Sequence, residues 1–115
     1  MTLHSLLEMA TQTIKPVHLA QPEPDAIELA AVLHALSDPV RLQIVRVLAA
    51  EPDGRPCGGF EVPVTKSTAT HHFRVLRDAG VIVQRDEGRK RLTRLRRADL
   101  DARFPGLLDS VLAAR

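Results

Sequence analysis

Thr65-Lys66-Ser67-Thr68-Ala69-Thr70-His71-His72-Phe73-Arg74-Val75-Leu76-Arg77-Asp78-Ala79-Gly80 reads as one helix with both ends marked. Thr65 suits an N-cap, because its hydroxyl can accept a bond from an amide N–H that the first turn leaves without a partner. Gly80 stands where a left-handed residue closes a helix, a conformation in which a Cβ is strained. Between them, Ala69, His72, Phe73 and Leu76 share one stripe, and helical spacing predicts that this stripe packs inward. Ser67, Thr70, His71 and Arg74 share a second, polar stripe flanked by Lys66 and Thr68. Short side chains at its N-terminal end allow the backbone to approach a partner closely.

Working outward, Val81 to Arg85 and Lys90 to Leu95 are strand-like and are joined by Asp86-Glu87-Gly88-Arg89, which predicts a β-hairpin. Upstream, Asp38 is placed to cap a helix with Pro39 in its first turn, where the missing proline N–H costs nothing. Leu42, Ile44, Val45, Val47 and Leu48 make that helix apolar nearly all round, as a central core helix should be. An earlier helix is expected from Asp25, with Asp25 and Glu28 as a capping-box-like pair and Ile27, Leu29, Val32, Leu33 and Leu36 supplying apolar faces. Cys57 to Val64 holds two glycines and a proline, so one helical turn at most is expected there.

Toward the ends, Leu3, Leu6, Leu7 and Ala10 suggest a short amphipathic helix, followed by a loose stretch from Lys15 to Pro24. Phe104, Leu107, Leu108, Val111 and Leu112 form one stripe of a final helix with Pro105 in its first turn. The expected organisation is an N-terminal helix and arm over 1–24, a main domain over 25–97 and a C-terminal helix over 98–115. The fold class is mostly α with a small β-hairpin, that is α+β, and the order of parts is that of a winged helix-turn-helix.

Charge sharpens this reading. The 115 residues carry a net charge of only +2, but residues 66–97 hold ten Lys or Arg against three Asp or Glu. The rest holds six basic and eleven acidic residues, so positive charge gathers where it can meet a polyanion. Lys66, Ser67, Thr68, Thr70, His71 and Arg74 on the helix, with Arg85, Arg89, Lys90 and Arg91 around the hairpin tip, are the candidate contacts. Guanidinium, imidazole and hydroxyl groups on a helix suit base edges and phosphates, and hairpin cations suit the flanking backbone. Double-stranded DNA is therefore the expected partner. A winged-helix module whose basic face serves RNA or a protein is the second reading.

Two stretches strengthen the first. Ala35-Leu36-Ser37-Asp38-Pro39-Val40-Arg41-Leu42-Gln43-Ile44-Val45 and Thr65 to Ile82 resemble the core helix and recognition helix of ArsR/SmtB-type transcriptional regulators. The resemblance covers about Leu29 to Leu95. It implies a homodimer held by N- and C-terminal helices, with Leu3, Leu6, Leu7, Leu107, Leu108, Val111 and Leu112 at the interface. It also implies two recognition helices reading an inverted repeat, on the order of 34 Å apart.

Many members of that family sense metals through a Cys-x-Cys pair or through Asp and His ligands on the last helix. Here Gly59 stands where the second thiolate would be, and no His follows His72. No metal site and no cofactor is expected, although His4, His18 and His34 could meet through tertiary or dimer contacts. Adjacent helical residues point about 100° apart, so His71 and His72 are read as one groove-facing and one inward residue rather than a chelating pair. The single cysteine, Cys57, excludes an intramolecular disulfide and is read as a small buried hydrophobe, with thiol sensing as the minority reading. No Ser, Cys or carboxylate constellation has catalytic spacing, so no enzyme activity is expected. No apolar run nears the roughly 20 residues of a membrane span, and Met1 to Pro16 lacks a signal-peptide pattern; a cytoplasmic location is expected.

Overall fold

The computed structural model describes residues 21–56, 60 and 62–114. After a 3-10 turn at Pro24–Ala26 come α1 (Leu29–Ala35), α2 (Pro39–Ala49), β1 (Arg55–Pro56), α3 (Lys66–Asp78), β2 (Ile82–Glu87), β3 (Lys90–Leu95), α4 (Arg97–Arg103) and α5 (Leu107–Ala113). The sheet is antiparallel with order β1-β3-β2, so the expected hairpin carries a third, two-residue strand. This is an α+β winged helix. Leu3, Leu6, Leu7, His4, His18 and Cys57 lie outside the described residues. No helix among the described residues is long and apolar enough to cross a membrane.

α2 is the centre of the core, with Ile44, Val45 and Leu48 almost fully buried. Asp38 caps it as expected: its Oδ2 accepts from the N–H groups of Val40 at 2.8 Å and Arg41 at 3.1 Å. Val32 and Ala35 of α1, Phe73 and Leu76 of α3, Val81 and Ile82 leading into the hairpin, Leu100 of α4 and Leu108 of α5 close around it.

α1 starts later than the sequence suggests. Pro24–Ala26 form a 3-10 turn, Ile27 is extended, and α1 begins at Leu29 behind Glu28, whose side chain makes no capping bond. The reason is tertiary. Ile27 is buried and lies against Gly80, so close that a Cβ on Gly80 would sit 2.6 Å from Ile27 Cγ1. Gly80 also has φ +84°, so glycine is required there on two counts, one of which the sequence did not reveal.

The C-terminal region is two helices rather than one. Phe104, which precedes proline, is driven from helical geometry to φ −134°, ψ 74°, and Gly106 is left-handed at φ +82°. Pro105 therefore lies in the break and not in the first turn of α5. α4 begins at Arg97 and holds only one buried residue, Leu100, too little apolar signal to have been read from the sequence.

Candidate nucleic-acid interface

α3 delivers the two faces that its periodicity implied. Thr65 caps it, its Oγ1 accepting from Thr68 N–H at 3.3 Å. His72, Phe73 and Leu76 are buried and Ala69 is half-buried, whereas Lys66, Ser67, Thr68, Thr70, His71 and Arg74 are all exposed. The two histidines part as expected, His71 to solvent and His72 to the interior, with ring centroids 5.8 Å apart.

The hydroxyls on this face are not equivalent. The Thr65 hydroxyl donates to Thr68 Oγ1 at 2.9 Å, which ties Thr68 into the cap. Thr70 donates its hydroxyl hydrogen to the Lys66 carbonyl at 2.9 Å. That leaves only its lone pairs to offer, so in this rotamer Thr70 faces a partner as an acceptor.

Gly88 and Arg89 form the two-residue connection between Glu87 and Lys90, with Gly88 at φ +63°, the positive value that hairpin turns demand at their first central residue. Arg85, Arg89 and Lys90 are exposed and Arg91 is half-buried. Two of these cations are already engaged: Arg85 pairs with Glu87 at 3.0 Å and Arg91 with Asp86 at 3.0 Å. Arg89 and Lys90, like Lys66 and Arg74 on α3, form no ion pair among the described residues. Helix and hairpin wall a groove of about 840 Å³ whose rim includes Lys66, Thr70, Arg74, Arg89, Lys90 and Arg91 and whose floor includes Phe60, Val64 and Phe73.

The charge count of residues 66–97 overstates this face. Arg77 is turned toward the hairpin, donating to Gln84 Oε1 at 3.0 Å. Arg96 binds the Pro22 carbonyl and Asp99, Arg97 pairs with Asp101 and Asp109, and Arg94 lines a separate groove beside Gln21 and Arg96. These four cations hold the fold together or lie elsewhere on it.

Two buried polar clusters escaped the sequence reading. In the first, Gln84, only 3% exposed, accepts from Arg77 and donates from Nε2 to Thr93 Oγ1 at 3.1 Å. It thereby joins α3 to both hairpin strands. The signal was a polar residue on the inward side of the alternation that starts at Ile82. Gln21 adds to it, exchanging two hydrogen bonds with the Gln84 backbone at 2.6 and 3.0 Å and so occupying an otherwise open strand edge.

In the second, Arg41 is buried at the N-terminal end of α2. Its guanidinium donates to the carbonyls of Ala35 at 2.6 Å and His34 at 3.2 Å, and Nη1 lies 3.1 Å from His72 Nδ1. Asp38 Oδ2 is 3.9 Å from the same imidazole nitrogen. Burial works to raise the Asp38 pKa. The Arg41 N–H bond, the nearby His72, the Val40 N–H bond and the Arg41 charge outweigh it and hold the carboxyl below its ordinary value.

A capped helix with one polar, cationic face, a basic hairpin beside it and the Arg77–Gln84–Thr93 hydrogen bonds that link them define a winged helix-turn-helix protein. The model of a helix-turn-helix domain family matches residues 36–85, which run from the end of α1 into β2. The chain is 34% identical over 84 residues to YceK, an uncharacterized HTH-type transcriptional regulator of Bacillus subtilis (strain 168), covering 71% of this chain and 84% of that protein. The chain belongs to the helix-turn-helix family of transcriptional regulators, which are DNA-binding proteins.

Proposed function

We propose that this protein is a regulator of the ArsR/SmtB type that binds double-stranded DNA in a sequence-specific way as a homodimer. α3 enters the major groove, with Ser67, Thr70, His71 and Arg74 toward base edges and Lys66 and Thr68 toward phosphates near the helix N-terminus. Arg85, Arg89, Lys90 and Arg91 meet the flanking backbone. The observation that carries this reading is the division of α3 into a buried apolar stripe and an exposed polar one.

Dimerisation is supported by apolar surface left uncovered: Leu29 is 45% and Leu33 48% exposed, one turn apart on α1. Leu107, Val111 and Leu112 of α5 are half-buried, and the resemblance adds Leu3, Leu6 and Leu7 to the interface. Leu108 is already used in the chain's own core, so it would support the interface from beneath. The second subunit would place a second α3 about one DNA turn away, on the order of 34 Å, over an inverted repeat.

Selection of bound duplexes from a random pool tests this directly. An inverted repeat with half-sites about 10 base pairs apart, or a multiple of that, is expected. Binding that shows no preference among duplex sequences, or a preference for RNA, overturns the reading.

A further inference from the structure

The Arg41–His72 contact has chemistry that a structural hydrogen bond between uncharged groups lacks. A guanidinium carries donors only, so at 3.1 Å from Arg41 Nη1 His72 Nδ1 must accept, which requires the neutral imidazole with its hydrogen on Nε2. Protonation would set an N–H on Nδ1 against an N–H of Arg41 and place two cations side by side in a buried site. Arg41 has little freedom to withdraw, since its other nitrogens are bonded to the carbonyls of Ala35 and His34 at the end of α1.

Among the described residues, the remaining groups facing His72 are few. α2 contributes Arg41 and also Asp38, whose Oδ2 at 3.9 Å favours the charged imidazole but is already occupied by the Val40 and Arg41 N–H groups. α3 contributes the adjacent His71, exposed to solvent. α1 contributes the two carbonyls on the far side of Arg41. His72 lies one residue after His71 and two before Arg74, so any shift that relieves its protonation moves the face proposed to read DNA.

We propose that Arg41 and His72 form a proton-controlled latch: closed while His72 is neutral, it seats α3 on α2, and opened by protonation it displaces α3 and lowers DNA affinity. The effect on affinity rests on the DNA-binding reading above; the latch itself does not. Both residues are positioning residues, since neither reaches the outer face.

Two measurements test it. The first needs no DNA and no variant. In the free protein, imidazole nitrogen-15 shifts should show His72 as the Nε2–H tautomer at neutral pH, and amide shifts of residues 70–76 and of Arg41 should move in step with its protonation. A proton on Nδ1 at neutral pH, or a titration that leaves those amides still, overturns the latch.

The second measures affinity for the selected duplex at constant ionic strength in the wild type and in His72→Asn, which share the exposed His71, so that its contribution cancels in the comparison. On acidification the wild type should lose about tenfold more affinity than His72→Asn. His72→Asn keeps an acceptor near the Nδ1 position but cannot titrate. An equal fall in both proteins overturns the coupling. Failure of the wild type to bind any duplex would remove the DNA reading, and the free-protein titration would still decide the latch.

Discussion

α3, through Lys66 and Arg74, and the β2–β3 hairpin, through Arg89, Lys90 and Arg91, turn cations toward the same groove, which Arg85 does not line, but they hold them differently. On α3, Lys66 and Arg74 are exposed and form no ion pair among the described residues, and the neighbouring hydroxyls are ordered by the cap and by the Lys66 carbonyl. On the hairpin, Arg85 and Arg91 each carry a carboxylate 3.0 Å away, whereas Arg89 and Lys90 near the turn form no ion pair among the described residues. Exposed pairs of this kind contribute about 0–1 kcal/mol, so a phosphate can displace the carboxylate at little cost to the fold. Less new charge is then neutralised, however, because the arginine was partly compensated already. The helix presents groups ready to discriminate; the wing presents a smaller effective charge than its arginine count suggests.

The comparison can be broken most severely from beneath. Leu76 is fully buried on the inward stripe of α3, and Leu76→Ala should cost about 2–5 kcal/mol of stability, measured by chemical denaturation. A loss well under that range would mean that α3 is not seated on the core as described. Next in size, Arg74→Ala should cost about 1–3 kcal/mol of binding and relax preference at one position of the site. A loss equal across all duplex sequences would make Arg74 a backbone contact, no different in kind from the hairpin arginines.

The cap of α2, on which α3 rests, comes third. Asp38→Ala should destabilise by about 1 kcal/mol and Asp38→Asn by less, since asparagine caps nearly as well. The folded-state pKa of Asp38 is depressed, so its contribution is fully present above the ordinary carboxylate value of about 4 and is lost as pH falls through the lower folded value. Asp38→Asn should remove that part of the acid dependence, and an unchanged acid limb in thermal melts would contradict the assignment. The smallest effects belong to the hairpin. Arg89→Ala should reduce the log–log salt slope of binding by about 1 per subunit, and Arg91→Ala should reduce it less. Equal slopes for the two would show that the Asp86 pair does not matter.

The same contrast explains what could be read in advance. α3 was legible because everything that defines it is local: Thr65 bonds within its own first turn, Gly80 ends it, and a stripe of period 3.6 decides which side is buried. Asp38 and the hairpin turn were legible for the same reason. The unread features depend on distant partners. Asp25 and Glu28 have the spacing of a capping box, but burial of Ile27 against Gly80 holds the backbone out of helical geometry before the box can form. Pro105 is compatible with a first helical turn, yet Gly106 at positive φ places it in a break instead. β1 is two residues long and has no period to detect. Arg41 and His72 are separated by 31 positions, and nothing local marks either as half of a buried pair. The candidate face was therefore legible as a list of residues, while the groups that orient it were not.

Protection of guanine N7 from methylation on a selected duplex reports directly whether α3 occupies the major groove. Two protected patches about one helical turn apart, lost on Arg74→Ala or on replacement of Thr70 and His71 but kept on Arg89→Ala at low salt, are expected. Backbone protection with every N7 left reactive would contradict the placement of α3 in the groove.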